Sequence, residues 1–215
     1  MRRIAAGWLR ITAGLFIFAF GLHLTIKASI GVAPWDTVFL GIASKTPLTY
    51  GLAAMLTNVF ILAVDIAMGE SIGFGTFIDA VVTGLFVDLI DASRVVPDIQ
   101  SVTVGALVLI LGLFIMAVGQ YFYMTAGQGC GPKDSFVVGV GKRMPRVPIG
   151  AVQIGIQAAV LILGFVLGGP IGLGTLLSVV FMGTTMQIVF RLLHFEPRNV
   201  RQENVLETIG RMRHA

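Results

Sequence analysis

The sequence predicts an all-α polytopic membrane protein made of two internal repeats. Three observations carry that expectation: a scarcity of charge, a set of long apolar runs, and a loop motif written twice. The chain has 215 residues, of which 56% are hydrophobic and 12% charged, and its mean hydropathy is +0.91. A soluble domain carries about 25% charged residues, so too little polar surface is present to cover a water-facing globule. The runs 11–26, 51–68, 74–90, 102–124, 149–167 and 171–190 each approach the ~20 residues that cross a bilayer core. One cysteine, Cys130, excludes an internal disulfide and a thiolate metal cluster.

The stretch "GVAPWDTVFLG" (31–41) returns as "GCGPKDSFVVG" (129–139). At an offset of 98 residues, Gly14, Leu15, Phe16, Ile17, Ala19, Gly21, Ala28, Gly31, Pro34, Asp36, Gly41 and Pro47 meet identical residues. One inserted residue near Arg146 moves the offset to 99, and Gly51, Leu62, Gly69, Ile72, Gly73, Gly75, Thr76, Val81 and Gly84 then match as well. Apolar composition explains some Leu, Ile and Val matches but not Pro-x-Asp and Gly-x-Gly-Thr in one register. The basic, apolar N-terminus looks like a signal peptide. However, "GLFIFAFG" (14–21) has its counterpart in "GLFIMAVG" (112–119), so it reads as a transmembrane helix.

Each repeat opens on a long helix (about 8–28 and 104–126) and continues through a Gly-rich loop. A short helix begins at Pro34 and at Pro132, since proline suits the first helical turn, where its missing N–H costs nothing. Asp36 and Asp134, two residues on, face the positive end of the helix dipole. These short helices reach only to Lys45 and Lys142, too short at ~1.5 Å per residue to cross a ~30 Å core. They read as re-entrant half-helices, because non-helical backbone at membrane depth survives only against protein or water. A third helix follows (50–68; 149–167), and a fourth opens at Gly-x-Gly-Thr (73–91; 172–191), where Thr76 and Thr175 suit a cap or first turn.

Three full crossings per repeat make the second repeat inverted relative to the first, a plan that recurs among transporters. The alternative is two parallel repeats of four helices, eight spans in all. Lys and Arg place both termini in the cytoplasm under either plan, so charge does not choose between them. The membrane domain covers 1–193, with repeat 1 at about 8–93 and repeat 2 at about 104–193. Residues 194–215 read as a basic cytoplasmic tail whose arginines can rest on anionic headgroups.

Ionisable groups inside a membrane are expensive, which makes function their default reading. The candidate substrate-binding set is Pro34, Trp35, Asp36, Asn58, Asp79, Asp88, Pro132, Lys133, Asp134, Gln157 and Gln187. Asp36 aligns with Asp134, Asn58 with Gln157, and Asp88 with Gln187, so polar groups recur at equivalent depths. Trp35 aligns with Lys133, where the two loops diverge: a lysine there meets an anionic substrate or snorkels to headgroups. The competing reading makes the aspartates helix caps and the amides interhelical glue. Asp65, aligned with Gly164, reads as interfacial, and His23, aligned with Tyr121, as a buried hydrogen-bonded histidine. "GVGKRMP" (139–145) lacks phosphate-loop spacing. No catalytic or metal-ligating constellation is visible, so the chain reads as a non-enzyme without cofactors, metals or nucleic-acid partners.

The loop "ASIGVAPWD" followed by "GFGT", repeated as "AGQGCGPKD" followed by "GLGT", resembles the YczE/YyaS/YitT family of bacterial membrane proteins. The resemblance runs from about residue 7 to 192 and is nearest to the YczE branch. Ala33 stands where the second loop has the more typical glycine, so the two loops are not equivalent. The resemblance implies a multi-pass protein of the bacterial inner membrane, with transport as its activity. The resemblance supplies no substrate, but the polar residues paired across the repeats favour a transporter or channel for a small polar solute or ion, bound between the repeats. The alternative is a non-transporting partner that scaffolds or regulates another membrane protein. Lipid, the solute and a second copy of the chain are the expected partners.

Overall fold

Apolar runs of helical length, punctuated by Gly and Pro, set where the helices begin and end. The computed structural model describes residues 2–70, 72–127 and 131–195. Its helices are α1 (Arg2–Lys27), α2 (Pro34–Lys45), α3 (Tyr50–Ala67), α4 (Phe74–Ser93), α5 (Val102–Met124), α6 (Pro132–Arg143), α7 (Ile149–Val166) and α8 (Leu173–Leu192). No strand occurs among the described residues. The expected basic tail lies beyond them from residue 196 onward, as do Gly129 and Cys130.

Most helix bounds fall within a few residues of expectation. The first helix departs most, starting at Arg2 instead of near residue 8. Arg and Ala are strong helix formers, so the polar start does not delay it. Proline opens α2 and α6 as expected. Thr175 helps to begin α8, its Oγ1 accepting from Gly172 N at 3.2 Å. Thr76 does not cap α4: its hydroxyl is buried without a hydrogen-bond partner.

Four segments are long and apolar enough to cross a membrane: Gly7–Lys27, Tyr50–Ala67, Val102–Met124 and Leu173–Leu192. Length and composition alone therefore mark four spans where six were expected. The apolar part of α7, Gly150–Val166, is slightly short, and α4 carries Asp79, Asp88 and Asp91. Large apolar side chains cover the outside of the bundle, among them Phe60, Ile66, Leu107, Ile162 and Phe165, each more than 60% exposed. Such a surface needs lipid against it.

Close helix contact is built on glycine. Antiparallel α1 and α5 cross with Gly14 facing Gly119 and Gly21 facing Gly112. The same pairing brings the end of α1 to the start of α5, where Ile99 N donates to Lys27 O and Lys27 pairs with Asp98 at 2.9 Å. Around this crossing Ala19, Leu22, Val87, Ile90, Leu109, Leu113 and Met116 form an apolar core shared with α4. The short helix α2 lies on α7, and α6 lies on α3.

The two ends of α3 mark opposite ends of the bundle. Its first turn meets the last turns of α4, where Gly51 N donates to Asp88 Oδ1 at 2.8 Å and Thr49 Oγ1 donates to Asp88 Oδ2. Lys27 also joins Asp91 there, at 3.1 Å. Beyond its last turn, Arg143 Nη2 donates to Met68 O at 2.8 Å and Lys142 Nζ to Glu70 Oε2 at 2.6 Å. Lys45, four residues before Thr49, donates instead to Val166 O at 3.1 Å, at the end of α7. The C-termini of α2 and α6 thus lie at opposite ends of the fold.

Candidate functional site

A cavity of about 540 Å³ lies in the middle of the bundle, bordered by residues of all eight helices. This volume falls within the range of small-molecule sites, about 300–1,000 Å³. The first turns of α2 and α6 border it, and each turn supplies one carboxylate. Asp36 is 4% exposed, and its Oδ1 accepts from Tyr50 Oη at 2.9 Å. Asp134 is open to the cavity. Asp79, one turn and a half into α4, accepts from Thr83 Oγ1 at 2.5 Å. A Cβ at Gly131 would lie 3.0 Å from Asp79 Oδ2 and 3.7 Å from Asp134 Oδ2, so the two carboxylates flank one point.

Lys133 reaches across from α6 to α2. Its Nζ sits 5.0 Å from the centroid of the Phe39 ring and 5.9 Å from that of Trp35, inside the ~6 Å reach of a cation–π contact. It is close enough to interact electrostatically with Asp36, Asp79 and Asp134. The lysine therefore turns inward to aromatic faces, in a cavity bordered by acidic residues from three helices.

Of the residues singled out from sequence, Pro34, Trp35, Asp36, Asn58, Asp79, Lys133, Asp134 and Gln157 border the cavity. Pro132 is buried behind the first turn of α6. Asp88 lies outside, because its two oxygens are engaged at the α3–α4 contact. Gln187 also lies outside, exposed on α8. Sequence reading did not select Tyr50, Thr83, Gln120, Tyr123, Gln153 or Ser178, which border the cavity. Gln120 aligns with Leu22 and Gln153 with Ala54, so a search for polar pairs across the repeat passes over both. A polar residue inside an apolar run was the signal that could have found them.

Three residues that border the cavity each hold a buried polar atom without a hydrogen-bond partner: Asn58 Oδ1, Gln120 Oε1 and Ser178 Oγ. Their residues are 6%, 8% and 1% exposed. Each of these atoms is sealed from the cavity by its neighbours, and a buried polar group left unpaired costs about 1–3 kcal/mol. Among the described residues no group of His, Cys, Asp or Glu could hold a metal ion.

Comparison with known proteins agrees with the resemblance read from the two loops. A model for a family of unknown function, DUF6198, matches residues 5–191. The chain belongs to the DUF6198 family. It is 28% identical to the membrane protein YczE of Bacillus subtilis over 84% of this chain and 83% of that one. It is also 28% identical to an uncharacterized protein of Haemophilus influenzae, again over 84% and 83% of the two chains. The YyaS protein of Bacillus subtilis is 26% identical over 87% of this chain and 95% of its own. No solved structure matches. The likeness to YczE and the several long apolar helices make this DUF6198 chain a multi-pass membrane protein.

The cavity of this DUF6198 protein is sealed unequally. On one side α3 and α4 touch through Gly51 and Gly84, where a Cβ on either would run into the backbone of the other. Gly150 on α7 and Gly183 on α8 have nothing within 4 Å of such a Cβ. Gln153, Ile154, Val179 and Gly183 border the cavity along this looser seam.

Proposed function

We propose that the protein is a transporter for a small polar solute or ion, bound between two inverted repeats. The observation that carries this reading is the central cavity, bordered by three acidic residues, Asp36, Asp79 and Asp134, and one basic residue, Lys133. A protein that only scaffolds another has no use for a polar interior of this size.

The inverted plan draws support from two contacts. Gly14 aligns with Gly112 and Gly21 with Gly119, and the antiparallel crossing pairs Gly14 with Gly119 and Gly21 with Gly112. A two-fold axis in the membrane plane exchanges those two pairs. Lys45 and Lys142, the ends of α2 and α6, lie at opposite ends of the bundle, whereas parallel repeats put them at the same end. In this reading α1, α3, α4, α5, α7 and α8 cross the bilayer. The half-helices α2 and α6 dip in from opposite sides, each 12 residues or about 18 Å long. The membrane is the bacterial inner membrane, with both termini in the cytoplasm by the bias of Lys and Arg.

Unequal sealing supports movement. Gly51 aligns with Gly150 and Gly84 with Gly183, yet only the first pair is in contact. Exchange of the two repeats' conformations closes α7 on α8 and opens α3 from α4, exposing the cavity on the other side. Rocking of one repeat against the other about a fixed site is the usual form of alternating access.

A thermal-shift screen of small polar solutes and ions on the purified protein identifies the ligand, since binding the folded state raises its stability. Reconstituted into liposomes, the wild type then moves that ligand. Gly150→Leu, which meets open space in this conformation and does not border the cavity, keeps binding and loses flux. Absence of any stabilising solute, together with a second membrane protein that co-purifies, replaces this reading with the scaffold.

A further inference from the structure

We infer that the cavity binds an organic ammonium ion, and that Lys133 is a tethered stand-in for it. The inference rests on the cavity being a solute site. Lys133 already holds an ammonium where such a headgroup would sit, over the rings of Phe39 and Trp35. Both rings come from α2, whereas the lysine comes from α6. The aromatic surface therefore exists independently of the side chain that now covers it. Faces of Phe and Trp attract alkylated ammonium groups in general.

Charge points the same way. Asp36, Asp79 and Asp134 border the cavity, and Lys133 is the one basic residue among its described lining. Acidic residues thus outnumber basic ones on this wall three to one. The helix N-termini do not reverse this balance, because the first turns of α2 and α6 already carry Asp36 and Asp134. Apolar substituents on the nitrogen find room beside Met116, Met182 and Met186, and along the seam at Ile154 and Val179. A volume of about 540 Å³ exceeds what a bare metal ion fills and suits an alkylated amine.

The lysine and the ligand compete for one place. If Lys133 fills the cage about nine-tenths of the time, the apparent affinity of a free ammonium falls about ten-fold. Removing the lysine's charge restores it.

The test is thermal shift and equilibrium binding on the purified full chain. Probes are choline, tetraethylammonium, the uncharged choline isostere 3,3-dimethyl-1-butanol, sodium and glutamate. The two ammonium ions should stabilise the wild type at millimolar concentration, and the other three should not. Lys133→Met keeps the aliphatic stem and should bind choline about ten-fold tighter. Phe39→Leu keeps an apolar side chain and should bind it several-fold more weakly. If Lys133→Met fails to fold, Lys133→Gln and the Phe39 variant carry the comparison. The inference is overturned if neither ammonium ion binds, if the uncharged isostere binds equally well, or if glutamate binds instead. Loss of choline binding in Lys133→Met also overturns it, since the lysine then holds the ligand and does not mimic it. Choline that binds but does not cross in proteoliposomes leaves this inference standing and removes the transport reading. Flux of another solute without ammonium binding does the reverse.

Discussion

Gly21 and Gly112 meet so closely that a Cβ on either would lie 2.6 or 2.7 Å from the other's carbonyl oxygen. The atom in the way is backbone, so a side chain here moves a whole helix and not a neighbouring rotamer. Overpacking of this kind costs about 1–3 kcal/mol. Gly21→Ala and Gly112→Ala should each lower the unfolding temperature in detergent. Gly155→Ala, on an open face of α7 with nothing within 4 Å, should be neutral or stabilising by up to about 1 kcal/mol through helix propensity. Equal effects at all three sites would disprove the α1–α5 crossing.

Asp88 ties the start of α3 to α4 by accepting from Thr49 Oγ1 and Gly51 N. Asp88→Ala removes both acceptors at a half-buried position and should cost about 1–3 kcal/mol, read as a lower unfolding temperature. Since Asp88 does not border the cavity, the same variant should leave ligand affinity unchanged. A variant of normal stability that has lost binding would contradict this placement.

Tyr50 supplies a hydrogen bond to Asp36, which is 4% exposed. Tyr50→Phe keeps the ring and should cost about 1–3 kcal/mol by leaving a buried carboxyl oxygen unmet. Asp36→Asn and Asp134→Asn keep shape and most of the helix-end interaction. They should fold normally yet lose ligand binding or its pH dependence. Slightly lower stability with an unchanged ligand response would reduce the two aspartates to helix caps.

Single cysteines at Lys45 and Lys142, on a Cys130→Ser background, report the orientation of the two short helices. A membrane-impermeant thiol reagent should label them from opposite sides of the bilayer. Labelling of both from the cytoplasm would restore eight spans in parallel repeats.

Asp98, in the loop before α5, has its carboxyl held below the usual carboxylate range by its hydrogen bond to Lys27. A depressed folded-state pKa stabilises above the unfolded value and is lost as pH falls through the folded one. The difference in unfolding temperature between wild type and Asp98→Asn should therefore be constant at neutral pH. It should shrink as pH drops below the ordinary value of 3.8. Because Asp98 is exposed, the difference should be small throughout and smaller still in high salt. A difference that grows on acidification would refute the pairing.

Membrane residence and the helix bounds were legible in the sequence because their causes are local. A run of apolar residues carries its hydropathy wherever it goes, and Pro34 or Pro132 fixes a first helical turn by its own ring. Repetition was legible too, since Pro-x-Asp and Gly-x-Gly-Thr keep one register. Tertiary structure decided which polar groups share a cavity. Asp88 and Asp79 lie on one helix, nine residues apart, and helical rotation with the neighbouring chain sends one to Gly51 and the other to the cavity. Lys133 could have turned toward headgroups; the rings of Phe39 and Trp35 drew it inward from another half of the chain. The same holds for glycines that are identical as letters: Gly51 touches Gly84, while Gly150 and Gly183 stand open. A glycine has no side chain to declare its environment, so only the distance between helices, set by all their other contacts, tells a closed seam from an open one.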